Sequence, residues 1–162
     1  MTEESEREIG EPAAEPEAAP VQRFPILISP LWRPLLWPFG ATADRAYVDI
    51  EDGEIHVRFG RLFEHRFPVD EVEGVGPAHW PLWAGVGWRT NFRGTVGLIG
   101  TYVSIVEVRF KETQRVRMLL PVPCKRLVLS VEEPREFIAA LSQHRRAAKG
   151  EMAARRRQRK AA

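Results

Sequence analysis

The chain holds few side chains that could serve as nucleophile, base or metal ligand. Its one cysteine, Cys124, lies in the run Val122-Pro123-Cys124-Lys125-Arg126. Cations next to a thiol favour the reactive thiolate, so Lys125 and Arg126 would lower the Cys124 pKa if they faced the sulfur. No catalytic motif surrounds it, and a structural thiol is the favoured reading. The four histidines, at 56, 65, 79 and 144, have no metal-site spacing with one another or with Cys124. The carboxylates of the central region are scattered over turns and strand faces. The sequence therefore predicts no catalytic residue, no metal, no cofactor and no enzyme activity.

Gly94, Gly97 and Gly100 recur at every third position. A phosphate-cradling loop would need a following Gly-Lys-Ser/Thr step, and a dinucleotide site would need a βαβ unit. Neither is present, so the glycines read as bulges and tight bends in a curved sheet.

Binding chemistry is better represented. The stretch Trp83-Ala84-Gly85-Val86-Gly87-Trp88-Arg89-Thr90-Asn91-Phe92-Arg93 mixes aromatic faces with Arg89 and Arg93, a combination suited to stacking and anion contacts. Tryptophans anchoring a long loop are the alternative. Residues 24–40 are apolar, aromatic and broken by prolines at 25, 30, 34 and 38. They read either as a flap packing Trp32, Leu35, Leu36 and Trp37 on the body or as an exposed partner or membrane patch. The candidate partner surface is accordingly Trp32, Trp37, Trp83, Trp88, Arg89 and Arg93. Near the C-terminus, Arg155, Arg156, Arg157, Arg159 and Lys160 are candidate contacts to an anionic surface. No aromatic residue is interleaved there for base stacking, which disfavours nucleic acid.

The elements that position these residues can be read from patterning. With 162 residues, 44% hydrophobic and 28% charged, the chain fits one ordinary globular domain. A single cysteine suits a reducing compartment. The first residues are acidic, with no apolar core of a secretory signal, and the prolines and Arg33 prevent residues 24–39 from forming a membrane-spanning helix. The expected location is cytoplasmic, with peripheral attachment at the inner membrane face as an alternative. Residues 1–22 hold seven glutamates against Arg7, a net −6, whereas residues 145–162 hold six arginines and two lysines against Glu151, a net +7. Both ends are poor in large apolar residues, which predicts a disordered acidic arm over 1–22 and a largely disordered basic tail over 145–162. Residues 23–45 are the segment expected to pack on the body, and 46–144 the domain itself.

Within the domain, Val48 and Ile50 should pair with Val57 and Ile55 across Glu51-Asp52-Gly53-Glu54. A three-residue loop over 60–62 should then pair Phe59 with Phe63, Val57 with His65 and Ile55 with Phe67. A short strand is expected over 68–75, with Pro68 at its start. The long glycine-rich stretch 76–100 is expected to be irregular or to hold one or two strands, near 88–92 and 96–99. The last hairpin is expected to turn at 112–114, pairing Val106 with Leu120, Val108 with Met118 and Phe110 with Val116. A strand over 126–129 leads into a helix starting at Pro134 after Glu133, with a Ser130/Glu133 capping box as the competing start. Phe137, Ile138 and Leu141 form its apolar stripe.

The runs Tyr47-Val48-Asp49-Ile50, Val57-Arg58-Phe59-Gly60 and 127–137, with the acidic-Pro step Glu132-Glu133-Pro134 before the helix, resemble the bacterial pleckstrin-homology-like family over residues 46–143. The resemblance implies a mainly β (α+β) fold, a strongly bent antiparallel barrel of about seven strands capped by a C-terminal α-helix. It also implies binding or scaffolding rather than catalysis. In lipid-binding members the first hairpin loop supplies basic residues to a phosphoinositide; here that loop is Glu51-Asp52-Gly53-Glu54, so phosphoinositide binding there is disfavoured. The leading expectation is a non-enzymatic module that binds a protein partner. The alternatives are a peripheral membrane protein using the tail with Trp32 and Trp37, or a weak non-specific nucleic-acid binder through the tail.

Overall fold

Val48 and Ile50 lie directly across from Val57 and Ile55, and this pairing organises the first half of the molecule. The computed structural model describes residues 20–161. The arm expected over 1–22 falls almost wholly outside the described residues. Strand β2 (Ala46–Glu51) and β3 (Glu54–Phe59) are joined by Asp52 and Gly53, both at positive φ, 47° and 76°. Two consecutive left-handed residues match the twist of the flanking strands, so Glu51 and Glu54 still pair and the turn is tighter than a four-residue loop. Strand β4 (Phe63–Pro68) follows in the expected register, Phe59 opposite Phe63 and Ile55 opposite Phe67. Strand β1 (Gln22–Pro25) pairs with the other side of β2. Pro25 is tolerated because it ends an edge strand.

The prolines argue against a helix or a central strand in residues 24–40; the segment begins in the edge strand β1, and the departure is one helical turn, α1 (Arg33–Leu36). Pro34 stands in the first turn of α1, where a missing N–H leaves no bond unmade. Phe24, Ile26, Ile28, Leu36 and Ala41 attach this segment to the core.

The second sheet contains β5 (Val72–Pro77), β6 (Gly87–Thr90), β7 (Gly94–Ile99), β8 (Ile105–Arg117) and β9 (Pro121–Ser130), in the order β5-β8-β9-β7-β6. The described residues thus form nine strands in two sheets, where about seven antiparallel strands were expected. Moreover, β7 and β9 run parallel, Val96 opposite Leu127 and Leu98 opposite Leu129. Residues 100–104 make this possible by crossing over the end of β9, with Ser104 in the left-handed region at φ 56°.

The last hairpin differs from the expected register. Its chain reversal lies at 118–120, where Met118 N–H bonds Leu120 C=O, not at 112–114. Val116 therefore faces Val122, while Val106 and Val108 face Leu129 and Leu127. The strand is long and irregular between Arg109 and Gln114, so one period-two pattern fits two registers. Burial selects the observed one: it keeps Leu127 and Leu129 inside and leaves Leu119 and Leu120 at an exposed turn.

Both sheets share one apolar core. Phe67 of the first stacks on Phe110 of the second at 4.7 Å between ring centroids. Helix α2 (Pro134–Ala161) begins as expected, Phe137 N–H bonding Glu133 C=O, and buries Phe137 and Leu141; Phe137 meets Phe24 edge-on at 5.3 Å. The helix does not stop at residue 144. The basic segment expected to be disordered continues it to Ala161. Alanine, arginine, lysine and glutamine are strong helix formers, and propensity carries the helix after its apolar stripe ends, despite Gly150.

Candidate functional site

The turn of α1 divides its apolar side chains between core and solvent. Leu36 points inward and packs against Gly87. Trp32 is half-buried, its ring edge-on to Tyr102 at 6.4 Å. Leu31, Leu35, Trp37 and Phe39 remain outside, Trp37 with 72% of its surface exposed. Beneath them, Trp88 donates its indole N–H to the Phe59 carbonyl at 3.0 Å and meets the rings of Phe59 and Phe39 edge-on. Gly60, at φ +67°, is required there: a side chain would collide with the Phe39 carbonyl and the Trp88 ring. Arg33, Arg45 and Arg61 lie beside Trp37 at the rim, accompanied by two carboxylates, Asp44 and Glu132.

A second surface lies on the outer face of the larger sheet. Trp80 is buried over Gly97 and donates to the Gly85 carbonyl at 2.9 Å, supporting the turn that presents Trp83. Trp83 is 88% exposed and lines a shallow groove of about 510 Å³ with His79, Arg89, Asn91 and Arg126. Arg126 is tied to Glu107 by its guanidinium Nε at 3.0 Å. Arg93 does not join this groove. It sits at the exposed β6–β7 turn, which the Asn91 side chain closes by accepting from the Arg93 and Thr95 amides.

The six aromatic and arginine candidates therefore separate. Trp37 and Trp83 are exposed, Trp32 and Trp88 are largely structural, Arg89 lines the groove and Arg93 stands apart. Leu31 and Phe39 were not singled out from sequence, and Leu35 was read with Trp32, Leu36 and Trp37 as packing on the body, although all three belong to the same proline-broken segment. Arg126 was missed because only strand pairing brings it to Arg89.

The third surface is the basic half of α2. Arg145 donates to the Glu73 carbonyl at 2.7 Å, and Lys149 and Arg156 continue along one face beside Lys111 of β8, with Asp70 and Glu73 opposite. These residues line a groove of about 470 Å³. Beyond it, Arg155, Arg157, Arg159 and Lys160 are exposed. This half of α2 passes the β2–β3 turn, where Gly53 and Glu54 adjoin Ala148, Glu151 and Arg155. The apolar rim packs at Gly60, the other end of β3. The basic segment and the rim are thus at opposite ends of the first sheet.

Cys124 is buried, and burial pushes its thiol up to about 12, the reverse of what Lys125 and Arg126 would do if they faced it. Both cations point to solvent instead. His65 lies half-buried against Phe67 on the inner face, and loss of hydration lowers its pKa. His56 bonds Glu64 at 2.9 Å on the outer face. No helix of the described residues is long and apolar enough to cross a membrane.

In comparisons with known proteins, the chain matches no family model, no curated protein and no solved structure.

Proposed function

We propose that the chain is a non-enzymatic binding module that docks a protein partner on the rim formed by Leu31, Leu35, Trp37 and Phe39. One observation carries the reading: four large apolar side chains within nine residues stand in solvent on a segment that Phe24, Ile26, Ile28 and Leu36 anchor in the core. Burial of such side chains drives association, and a tryptophan at the centre of an interface contributes disproportionately. The flanking Arg33, Arg45 and Arg61 favour a partner with an apolar pocket edged by carboxylates.

The order of elements, antiparallel strands first and one core-capping helix last, keeps the pleckstrin-homology-like resemblance within this reading, while the binding role rests on the exposed rim. We read the two sheets as the halves of that bent architecture, with β1 and the parallel β7–β9 pair as departures from it. A membrane reading is less well supported. It joined the basic tail to Trp32 and Trp37, but α2 carries those cations to the far end of the first sheet and Trp32 is held against Tyr102.

The test is a photo-crosslinking residue at position 35, compared with one at exposed Glu64, in living cells. A protein captured only from position 35 is then purified and titrated. Supporting behaviour is an affinity that falls at least about 10-fold in Trp37→Ala, the scale of an interface hot spot. Capture that does not depend on position, or pelleting with anionic vesicles that requires Trp37, would overturn the proposal.

A further inference from the structure

Strand β1 begins at Gln22, opposite Ile50, so the chain enters the first sheet next to the β2–β3 turn. The same turn adjoins Ala148, Glu151 and Arg155 of α2. Two strand spacings, about 10 Å, separate β1 from β3. The entry point of the chain and its basic helix therefore lie at one end of one sheet. Residues 1–19 carry seven glutamates and one arginine, while residues 145–161 carry eight cations and one glutamate. Nineteen residues reach up to about 65 Å, more than the roughly 42 Å that 28 helical residues span.

The charge pattern of the helix favours such a partner. Arg155 and Arg159, and Arg156 and Lys160, are like-charged pairs four residues apart, which oppose helix formation. Among the described residues none of these four pairs with a carboxylate. Their stripe continues from Arg145 and Lys149 past the groove floored by Lys111.

We propose that residues 1–19 dock, within the same chain, on the cationic face of α2 running from Arg145 to Lys160. The tether raises the local concentration of the acidic segment to about the millimolar range, so individually weak charge contacts suffice. Docked there, the glutamates compete with any external polyanion for Arg155, Arg156 and Lys160. This surface is distinct from the apolar rim, and either reading can fail alone.

A nitroxide placed on an Ala13→Cys variant tests it, because buried Cys124 stays unlabelled in the folded chain. In low salt, amides of 149–161 should lose at least about half their intensity while those of 60–62, at the far end of β3, keep theirs. Raising salt to about 0.5 M should restore the signals, as screening shortens to about 4–5 Å. Replacing Arg155, Arg156, Arg157, Arg159 and Lys160 by glutamine should abolish the effect. Unchanged intensities at 149–161 in low salt would overturn the proposal. So would broadening that persists at high salt. Broadening that appears equally when spin-labelled chains are mixed with unlabelled isotope-enriched ones would assign the contact to a second copy and overturn it as well.

Discussion

Arg23 clamps Asp49 across the β1–β2 pair with two parallel hydrogen bonds, Nε to Oδ1 at 2.8 Å and Nη2 to Oδ2 at 2.7 Å. The guanidinium also lies 4.0 Å over the Tyr47 ring. Asp49 is buried, whereas the arginine side chain is 57% exposed, so the carboxylate depends on this one partner. Donating these hydrogen bonds to the Asp49 carboxylate holds the Arg23 pKa above its ordinary value. A fork-to-fork pair of this kind fixes orientation as well as charge.

Arg23→Ala should therefore destabilise the fold by about 1–3 kcal/mol, because it strands a buried carboxylate. Asp49→Asn should cost less, since it removes the charge and keeps one acceptor. Urea midpoints at unchanged slope test the order of the two. Equal effects, or no effect of Arg23→Ala, would mean that β1 is held by packing of Phe24 alone.

Ser130 provides a second tether. Its buried hydroxyl donates to the Leu27 carbonyl at 3.0 Å and accepts from the Gly100 amide at 2.8 Å, and the Ser29 amide bonds the Gly100 carbonyl. A β-carbon on Gly100 would meet the Leu27 backbone and come within 2.8 Å of Ile28 Cγ1. Gly100→Ala should cost about 1–3 kcal/mol through overpacking, and Ser130→Ala about 1–3 kcal/mol through its two orphaned partners. Because both act on Leu27, the double variant should lose less than the sum. Thermal or urea unfolding of the four proteins measures the coupling, and strict additivity would show that the two act separately.

His65 makes stability depend on mild acid. Burial lowers its folded pKa below the 6.5 of the free side chain, so the unfolded chain takes up the proton first. Its contribution is complete above about pH 6.5 and is lost as pH falls through the lower folded pKa. Urea midpoints should fall between about pH 7.5 and 5.5, and His65→Gln should flatten that fall. The exposed Asp44 carboxyl, held below its ordinary range first by the Thr42 side chain, titrates under this window. An identical pH slope in the variant would exclude His65 as its source.

The glycines at 94, 97 and 100 illustrate how far local reading reaches. They were expected to serve bulges and bends. Gly94, at φ 108°, does occupy the left-handed region. Gly97 and Gly100 instead make room, one for the Trp80 ring and one for the Leu27 backbone. A missing side chain announces free space without saying what fills it.

The sequence by itself determined the first two hairpin registers, because alternating Val, Ile and Phe can bury one face in only one pairing. It likewise determined the start of α2 at Pro134 and its stripe of Phe137 and Leu141, which helical spacing reveals. Tertiary structure alone decided the β8–β9 register, where two pairings satisfy the same alternation, and the parallel β7–β9 pair, which depends on a crossover far along the chain. It also decided that Leu35 and Trp37 face solvent while Leu36 does not, a division set by how one short turn sits on Gly87. Finally, it placed the basic helix beside the entry of the acidic segment and away from the apolar rim. Charge can be counted along a chain, but its position depends on contacts between residues more than a hundred positions apart.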